Sequence, residues 1–341
     1  MTTPAFIQLH QFMLDSFNDD ELDLFCLEYF PAAKRAHFGL GMGMSQKVIE
    51  LIEYCERQQL RPNLLAALAQ ERSASYQLAF PATPAPTIVA GPPTPQPTPL
   101  PVGNSFVHSK TGLTFVRIPA GEFLYGEKKE QVELPEFWIS KTPVTQAEYQ
   151  RYIAANPKEA VPFVNADRAL PYNWSQSQRT PSPNKADHPV VLVNWYDALR
   201  FCAWAEAQLP TEMQWEKAAR GNDGRRYPWG NTEPTDKVCN FNKNVGGTTA
   251  VGRYSPQGDS PYGCVDMSGN VCEWCLNKYE NPANTTFDQS YDWRVLRGGS
   301  FYSEGYYART DSRYYDVPTS CSRDYGFRVV LVVVHPPSQD H

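Results

Sequence analysis

No stretch of this 341-residue chain approaches the roughly 20 consecutive apolar residues that a membrane-spanning helix needs. Met1–Phe6 lacks the basic and apolar regions of a secretory leader, so a cytoplasmic protein that does not engage membranes is expected. Basic charge is also short. Thirty-one Lys and Arg face 37 Asp and Glu, a net charge of −6, which argues against a general nucleic-acid-binding surface. A phosphate-cradling glycine loop, a nucleophile elbow and a His-Glu-x-x-His pattern are all missing. His10 and His37 stand alone and are read as surface or satisfied residues. The eight cysteines, at 26, 55, 202, 239, 264, 272, 275 and 321, are scattered. Such a chain needs no disulfide framework, and buried thiols are expected. Cys272 and Cys275 form one Cys-x-x-Cys with Cys239 and Cys264 elsewhere in the same region, but a second close pair is lacking, so no metal site is assigned.

A narrower absence is more informative. Between Phe301 and Tyr325 there is no Lys, Gln, Met or Trp, and Glu304 is the only glutamate. What fills the run is tyrosine at 302, 306, 307, 314, 315 and 325, serine at 303, 312, 320 and 322, and aspartate at 311, 316 and 324. Tyrosine gives large rigid contact area at low entropic cost, and serine and glycine add adaptable polar contacts. The run lies between Arg297-Gly298-Gly299-Ser300 and Gly326-Phe327-Arg328. It suits a receptor surface held between fixed ends, and a merely tyrosine-rich sheet edge has the same composition. In the first case Tyr306, Tyr307, Tyr314 and Tyr315 are exposed while Arg297 and Phe327 are buried.

Three segments precede the tail 336–341. Residues 1–80 read as a small helical bundle. Phe6, Leu9, Phe12, Met13, Leu14 and Phe17 recur near helical spacing. Asn18 with Glu21 has the form of a capping box before Leu22, Leu24, Phe25 and Leu27. Gly39–Gly43 is a breaker and Ser45 a cap for the stripe Val48, Ile49, Leu51, Ile52 and Cys55. Pro62 suits the first turn of a last short helix with Leu64, Leu65 and Leu68. The short bundle, with Asp20-Glu21-Leu22 and the stretch Val48–Arg57, resembles the bacterial death-like or effector-associated domains. The resemblance implies an adaptor that pairs with a like domain on an effector protein. A plain helical appendage is the bland alternative.

Residues 81–104 repeat proline among Thr and Ala, a semi-rigid polyproline spacer. Residues 105–335 hold all eight tryptophans. Strands are expected at Phe115–Ile118 and Phe137–Ser140, and the Cys272–Cys275 stretch is strand-like. Helices are expected at Thr145–Ala154, Trp195–Gln208 after an Asn194 cap, and Glu212–Arg220 after Thr211. The rest is loop-rich, which favours α+β over a doubly wound sheet. Glu212 and Arg297 are expected as buried partners, and Gly298-Gly299 as a site of close backbone approach.

The ordered set Val116–Phe123, Val144–Tyr149, His188–Val190 with Val193-Asn194-Trp195, Leu209–Glu216, Tyr227–Gly230, Asp266–Trp274, Arg297–Ser300 and Gly326–Arg328 resembles the formylglycine-generating-enzyme-like, or sulfatase-modifying-factor, domain. That resemblance covers nearly all of 105–335 and implies a C-type-lectin-like fold. The family's enzyme holds copper through two cysteines after the Gly-Gly-Ser motif. Those positions are Ser303 and Ala308 here, so neither enzyme activity nor a cofactor is expected, and Cys321 alone cannot replace the pair.

In place of those cysteines, the tyrosine run is similar to the variable region of diversity-generating retroelement variable proteins, which end on the same fold. The resemblance implies codons randomised at template adenines, which yield Tyr, Ser, Asp, Gly, Cys and Val but never Lys, Gln, Met, Trp or Glu. Glu304, Arg309, Arg313 and Pro318 are then fixed positions. The diversified ligand-binding set is Tyr302, Ser303, Gly305, Tyr306, Tyr307, Asp311, Tyr314, Tyr315, Asp316, Val317, Ser320, Cys321, Ser322, Asp324 and Tyr325. The expectation is a two-module receptor, with 301–325 binding a protein ligand and 1–80 recruiting an effector. A non-diversified regulatory module and a formylglycine-generating oxidase are the rivals.

Overall fold

The computed structural model describes residues 12–18, 21–22, 25–26, 29–30, 47–48, 51–52, 54–55, 60–71, 103–281 and 292–332. His10, His37, the Gly39–Gly43 breaker, the Ser45 cap, the prolines of 81–102 and the tail 336–341 lie outside them. Two compact units result.

In the N-terminal unit, Asn18 Oδ1 accepts from the Glu21 amide at 2.9 Å and Glu21 Oε2 accepts from the Asn18 amide at 3.0 Å. This is the reciprocal capping box expected from the sequence, and it satisfies donors that a helix start leaves orphaned. Phe12, Met13, Leu22, Phe25, Leu51 and Leu64 share one apolar core. The last helix, α1 (Arg61–Glu71), carries Pro62 in its first turn and buries Leu64, Leu65 and Leu68.

In the larger unit, β1 (Ser105–Val107), β2 (Thr114–Ile118), β5 (Phe137–Ser140) and β10 (Val330–Val332) form an antiparallel sheet in the order β1-β2-β5-β10. β3 (Gly121–Tyr125) and β4 (Glu130–Leu134) make a hairpin. A second four-stranded sheet runs β8-β7-β6-β9, from β6 (Cys272–Lys278), β7 (Arg294–Arg297), β8 (Arg313–Asp316) and β9 (Tyr325–Gly326). Its β6–β9 pair is parallel and the others are antiparallel.

Each α-helix described in this unit starts on a two-way cap: Thr145 with Glu148 before α2 (Gln146–Ala155), Asn194 with Asp197 before α3 (Trp195–Ala205), and Thr211 with Gln214 before α4 (Glu212–Arg220). The expected helix to Gln208 stops at Ala205, because Glu206 turns left-handed at φ 56°.

Between the sheets and helices the interior is apolar around Trp215, Met267, Cys275 and Val295, but it also encloses Arg220, Arg294, Arg297 and Arg328. Such irregular loops leave many carbonyls without strand or helix partners, and buried guanidinium groups supply the donors. Arg328 forks onto Glu273, with Nε to Oε2 at 2.5 Å and Nη2 to Oε1 at 2.8 Å, and donates to Ser140 and Val265 carbonyls. Trp215 Nε1 donates to the same carboxylate at 2.7 Å.

Glu212 and Arg297 are both buried, but not as a pair. Arg297 meets Glu216, whereas Glu212 takes two bonds from Arg313, at 2.7 and 3.1 Å. The reason is register. Glu212 and Glu216 are four apart on α4 and share a face. Arg297 and Arg313 are cross-strand partners on β7 and β8. Two carboxylates one turn apart thus meet two arginines one strand apart.

Candidate functional site

The run 301–325 leaves β7 through Gly298 (φ 88°) and Gly299 (φ 65°). A Cβ at Gly299 would stand 2.8 Å from the Tyr307 carbonyl, so the expected close approach is real and excludes a side chain. The chain then makes a short 3-10 turn at Gly305–Ala308, forms β8, and returns as β9.

Tyr302, Tyr306, Tyr307, Tyr314 and Tyr315 are 50, 60, 41, 43 and 36% exposed, while Arg297 and Phe327 are 1 and 0%. The expected division between outward tyrosines and inward framework is therefore present. The other candidate positions face several ways. Asp311 turns inward, accepting from Arg309 Nε at 2.9 Å and Nη2 at 2.8 Å, with Arg220 Nη2 at 3.4 Å. Asp316 accepts from Ser320 Oγ and the Val317 amide, each at 2.8 Å, and from the Tyr325 hydroxyl at 3.1 Å. Tyr325 is buried, edge-on to Trp274 at 5.5 Å. Burial and the neighbouring Asp316 carboxylate push its phenol pKa up. Ser303 Oγ accepts from the Ser300 amide at 3.0 Å, and Asp324 Oδ2 accepts from Ser300 Oγ at 2.7 Å. Ser322 Oγ donates to Asp324 Oδ1. Gly305, Val317, Ser320 and Cys321 are half-buried.

Tyr302, Ser303, Tyr307, Tyr314, Asp324 and Tyr325 come together around one cleft of about 370 Å³, with Glu304 and Arg313 also on its walls. Tyr306 and Tyr315 lie outside that lining but continue the aromatic surface, with Tyr306 edge-on to Tyr307 at 5.5 Å and Tyr315 beside Tyr314 at 6.0 Å.

Two aromatic residues before the run belong to the same surface and were not anticipated. Trp293, 42% exposed, stacks on Tyr315 at 4.4 Å, and Tyr279 lies 4.3 Å from Tyr315. Local sequence carries no mark of this, because both residues precede the run and meet it only through the β6-β7-β8 register.

The structure gives a physical account of the Cys-x-x-Cys. Alternate residues of a strand face opposite sides, so a spacing of three separates the two thiols. Cys272 reaches the cleft, while Cys275 packs in the core with Trp215 and Met267. Burial drives both thiols well up from their ordinary pKa, with Asp324 adding to the effect at Cys272. Among the described residues no group of three His, Cys, Asp or Glu side chains is arranged to hold a metal ion. Ser303 and Ala308, the positions that the resemblance assigns to the family's copper cysteines, present a hydroxyl bonded to the Ser300 amide and a buried methyl. Neither is the soft ligand that copper(I) needs, so this pair does not fit the metal.

Residues 105–333 match the sulfatase-modifying factor enzyme 1-like domain, and residues 9–73 match effector-associated domain 7. Hercynine oxygenase of Mycobacterium tuberculosis is 33% identical over 217 residues, which cover 55% of this chain and 50% of that protein. Inactive C-alpha-formylglycine-generating enzyme 2 of Bos taurus is 37% identical over 171 residues, 46% of this chain and 54% of that one. The chain spans about half the length of these curated relatives. Among solved structures, Treponema denticola variable protein 1 aligns with a TM-score of 0.51 at 22% identity, over 68% of this chain and 99% of that one. PvdO from Pseudomonas aeruginosa aligns at 0.56 and 21%, over 69 and 98%. The fold is thus the C-type-lectin-like one of formylglycine-generating enzymes, shared by proteins named as enzymes and by one named as inactive. With two thirds of its length matched, the chain belongs to the sulfatase-modifying factor enzyme 1-like family and carries an effector-associated domain ahead of that domain.

Proposed function

We propose that this protein is a receptor that binds a protein ligand through a diversified surface at 301–325 and recruits an effector through residues 1–80, with 81–104 as the spacer between them. The observation that carries the reading is the separation of labour within the run. Five exposed tyrosines project from backbone fixed by residues read as invariant: Arg297, Gly299, Arg313 and Phe327. The shared fold of the Treponema variable protein supports it. So does the match of residues 9–73 to an effector-associated domain. Within the diversified set, Tyr302, Ser303, Tyr306, Tyr307, Tyr314, Tyr315 and Asp324 are the positions that would meet the ligand first.

Sequencing the DNA beside the gene tests this. A near-copy of codons 301–325, with adenines at the diversified positions, is expected together with a reverse transcriptase. A locus with neither would leave a module that senses one fixed ligand.

No formylglycine-forming activity is expected, because Ser303 and Ala308 leave no dithiolate. Purified protein loaded with copper(I) and given a sulfatase-type cysteine peptide should show no copper-dependent turnover. Turnover would restore the enzyme reading.

Residues 1–75 are expected to fold alone and to bind another protein carrying a like bundle, since their capped helices share a core of their own. Circular dichroism of the isolated segment should show cooperative thermal unfolding. A random-coil spectrum, or equal effector capture by residues 105–341, would count against the adaptor role.

A further inference from the structure

The cleft beside the exposed tyrosines has a definite chemistry. Its walls include the rings of Tyr307, Tyr314 and Tyr325, and its carboxylates are Glu304 and Asp324. The only cation in the lining is Arg313, whose guanidinium is already forked onto the buried Glu212 at 2.7 and 3.1 Å. Lys243 and Arg323 lie over the Tyr302 ring, at 4.1 and 5.5 Å, and are not part of the lining. Asp324 is held by two hydroxyls, Ser300 and Ser322, which fix its position without cancelling its charge. Glu304 is exposed and forms no ion pair among the described residues. Aromatic faces carry negative potential and attract cations, most strongly where water is partly excluded. A cleft of this size, walled by phenol rings and bearing two carboxylates not spent on internal cations, is complementary to one positively charged side chain.

We infer that the cleft accepts a single cationic side chain, arginine or lysine, of the protein ligand. Tyr307 and Tyr314, edge-on to each other at 6.4 Å, form the wall for its alkyl stem and Asp324 receives its charged end. This rests on the receptor reading and adds the chemical class of the group recognised. Diversification at Tyr302, Tyr307, Tyr314 and Asp324 would then retune one pocket, while Glu304 stays as a fixed anionic element.

The test is an NMR titration of the full chain, labelled at tyrosine rings, with Nα-acetylarginine methylamide, its neutral citrulline counterpart and Nα-acetylglutamate methylamide. Saturable shifts of Tyr307 and Tyr314 with the arginine compound are expected, with affinity for the citrulline compound lower by about tenfold or more. Glu304→Gln, at an exposed position, and Asp324→Asn, which keeps an amide in place of the carboxylate, should each weaken the arginine compound. Val107→Ala, at an exposed position on β1 outside the cleft lining, should leave it unchanged. Equal binding of arginine and citrulline, preference for the glutamate compound, or no saturable shift of either tyrosine would overturn the inference. The outcome is independent of the locus. A template repeat with no cation preference would sink the cleft chemistry alone, and a cation preference without a repeat would leave a fixed cation-reading module.

Discussion

Replacing Phe327 by alanine is expected to unfold the larger unit or lower its melting temperature by on the order of 10 °C, whereas Tyr→Ala at 306, 307, 314 and 315 together should move it far less. Phe327 is fully buried, edge-on to Phe201 at 5.3 Å and Tyr149 at 6.3 Å. Removing a buried aromatic costs roughly 3–5 kcal/mol, and in a unit of this size each kcal/mol shifts the melting temperature by about 2–4 °C. Exposed substitutions stay within about 0.5 kcal/mol. Tyr315 should be the costliest of the four, since it stacks on Trp293 and packs at a tilt against Tyr279. The loss from the tyrosine variants should fall on affinity instead, because truncating an anchoring tyrosine at an interface removes about 2 kcal/mol or more of binding. Calorimetry of both variants, with ligand binding as the second readout, decides the matter. If the quadruple variant unfolds as readily as Phe327→Ala, the tyrosine run is core and the receptor reading loses its physical basis.

Glu216→Ala should be as damaging. This carboxylate is fully buried and takes charge-assisted bonds from Arg297, from Arg220 at 2.7 Å and from the Gly126 amide at 2.6 Å. Deleting it strands the buried Arg297 guanidinium and leaves Arg220 only its longer contact with Asp311 at 3.4 Å, a change that costs roughly 3–5 kcal/mol. The comparison is Glu206→Ala, which breaks an exposed ion pair with Lys110 and should cost about 1 kcal/mol or less. Chemical denaturation of the two variants gives the contrast. Similar small losses would mean that the α4–β7 ion pair is not what ties the base of the tyrosine run to the core.

These expectations show which kinds of information lie in local sequence. Helix starts were legible at Asn18, Asn194 and Thr211 from the capping side chain itself, whereas Thr145, expected as the first helical residue, is the cap. The outward tyrosines were legible from composition, and the family from its ordered motifs. What depends on register was not. Glu212 and Glu216 carry the same charge on the same helix, and nothing local says which one meets Arg297. The β3–β4 hairpin has a weak local signal because Glu130–Leu134 lies mostly at the surface and its alternation is limited to Val132 and Leu134, both only half-buried. Tyr325 and Tyr314 have the same side chain, yet one is packed on Trp274 and the other faces outward. Only the strand pairing distinguishes them.

The parallel pairing of β9 with β6 has a further consequence. Glu273 on β6 is the register partner of Arg297 on one side and of Gly326 on the other. The run's entrance and exit are therefore clamped to one residue, two strand spacings apart, roughly 10 Å. Whatever the chain does between them, that gap does not change. The stretch between β8 and β9 is held as well, since the Pro318 and Ser322 carbonyls accept from the Trp195 and Leu192 amides at 3.0 and 2.9 Å. An insertion or deletion at 317–322 would break both of these bonds, whereas an exchange of outward side chains leaves the clamp and the core behind it untouched.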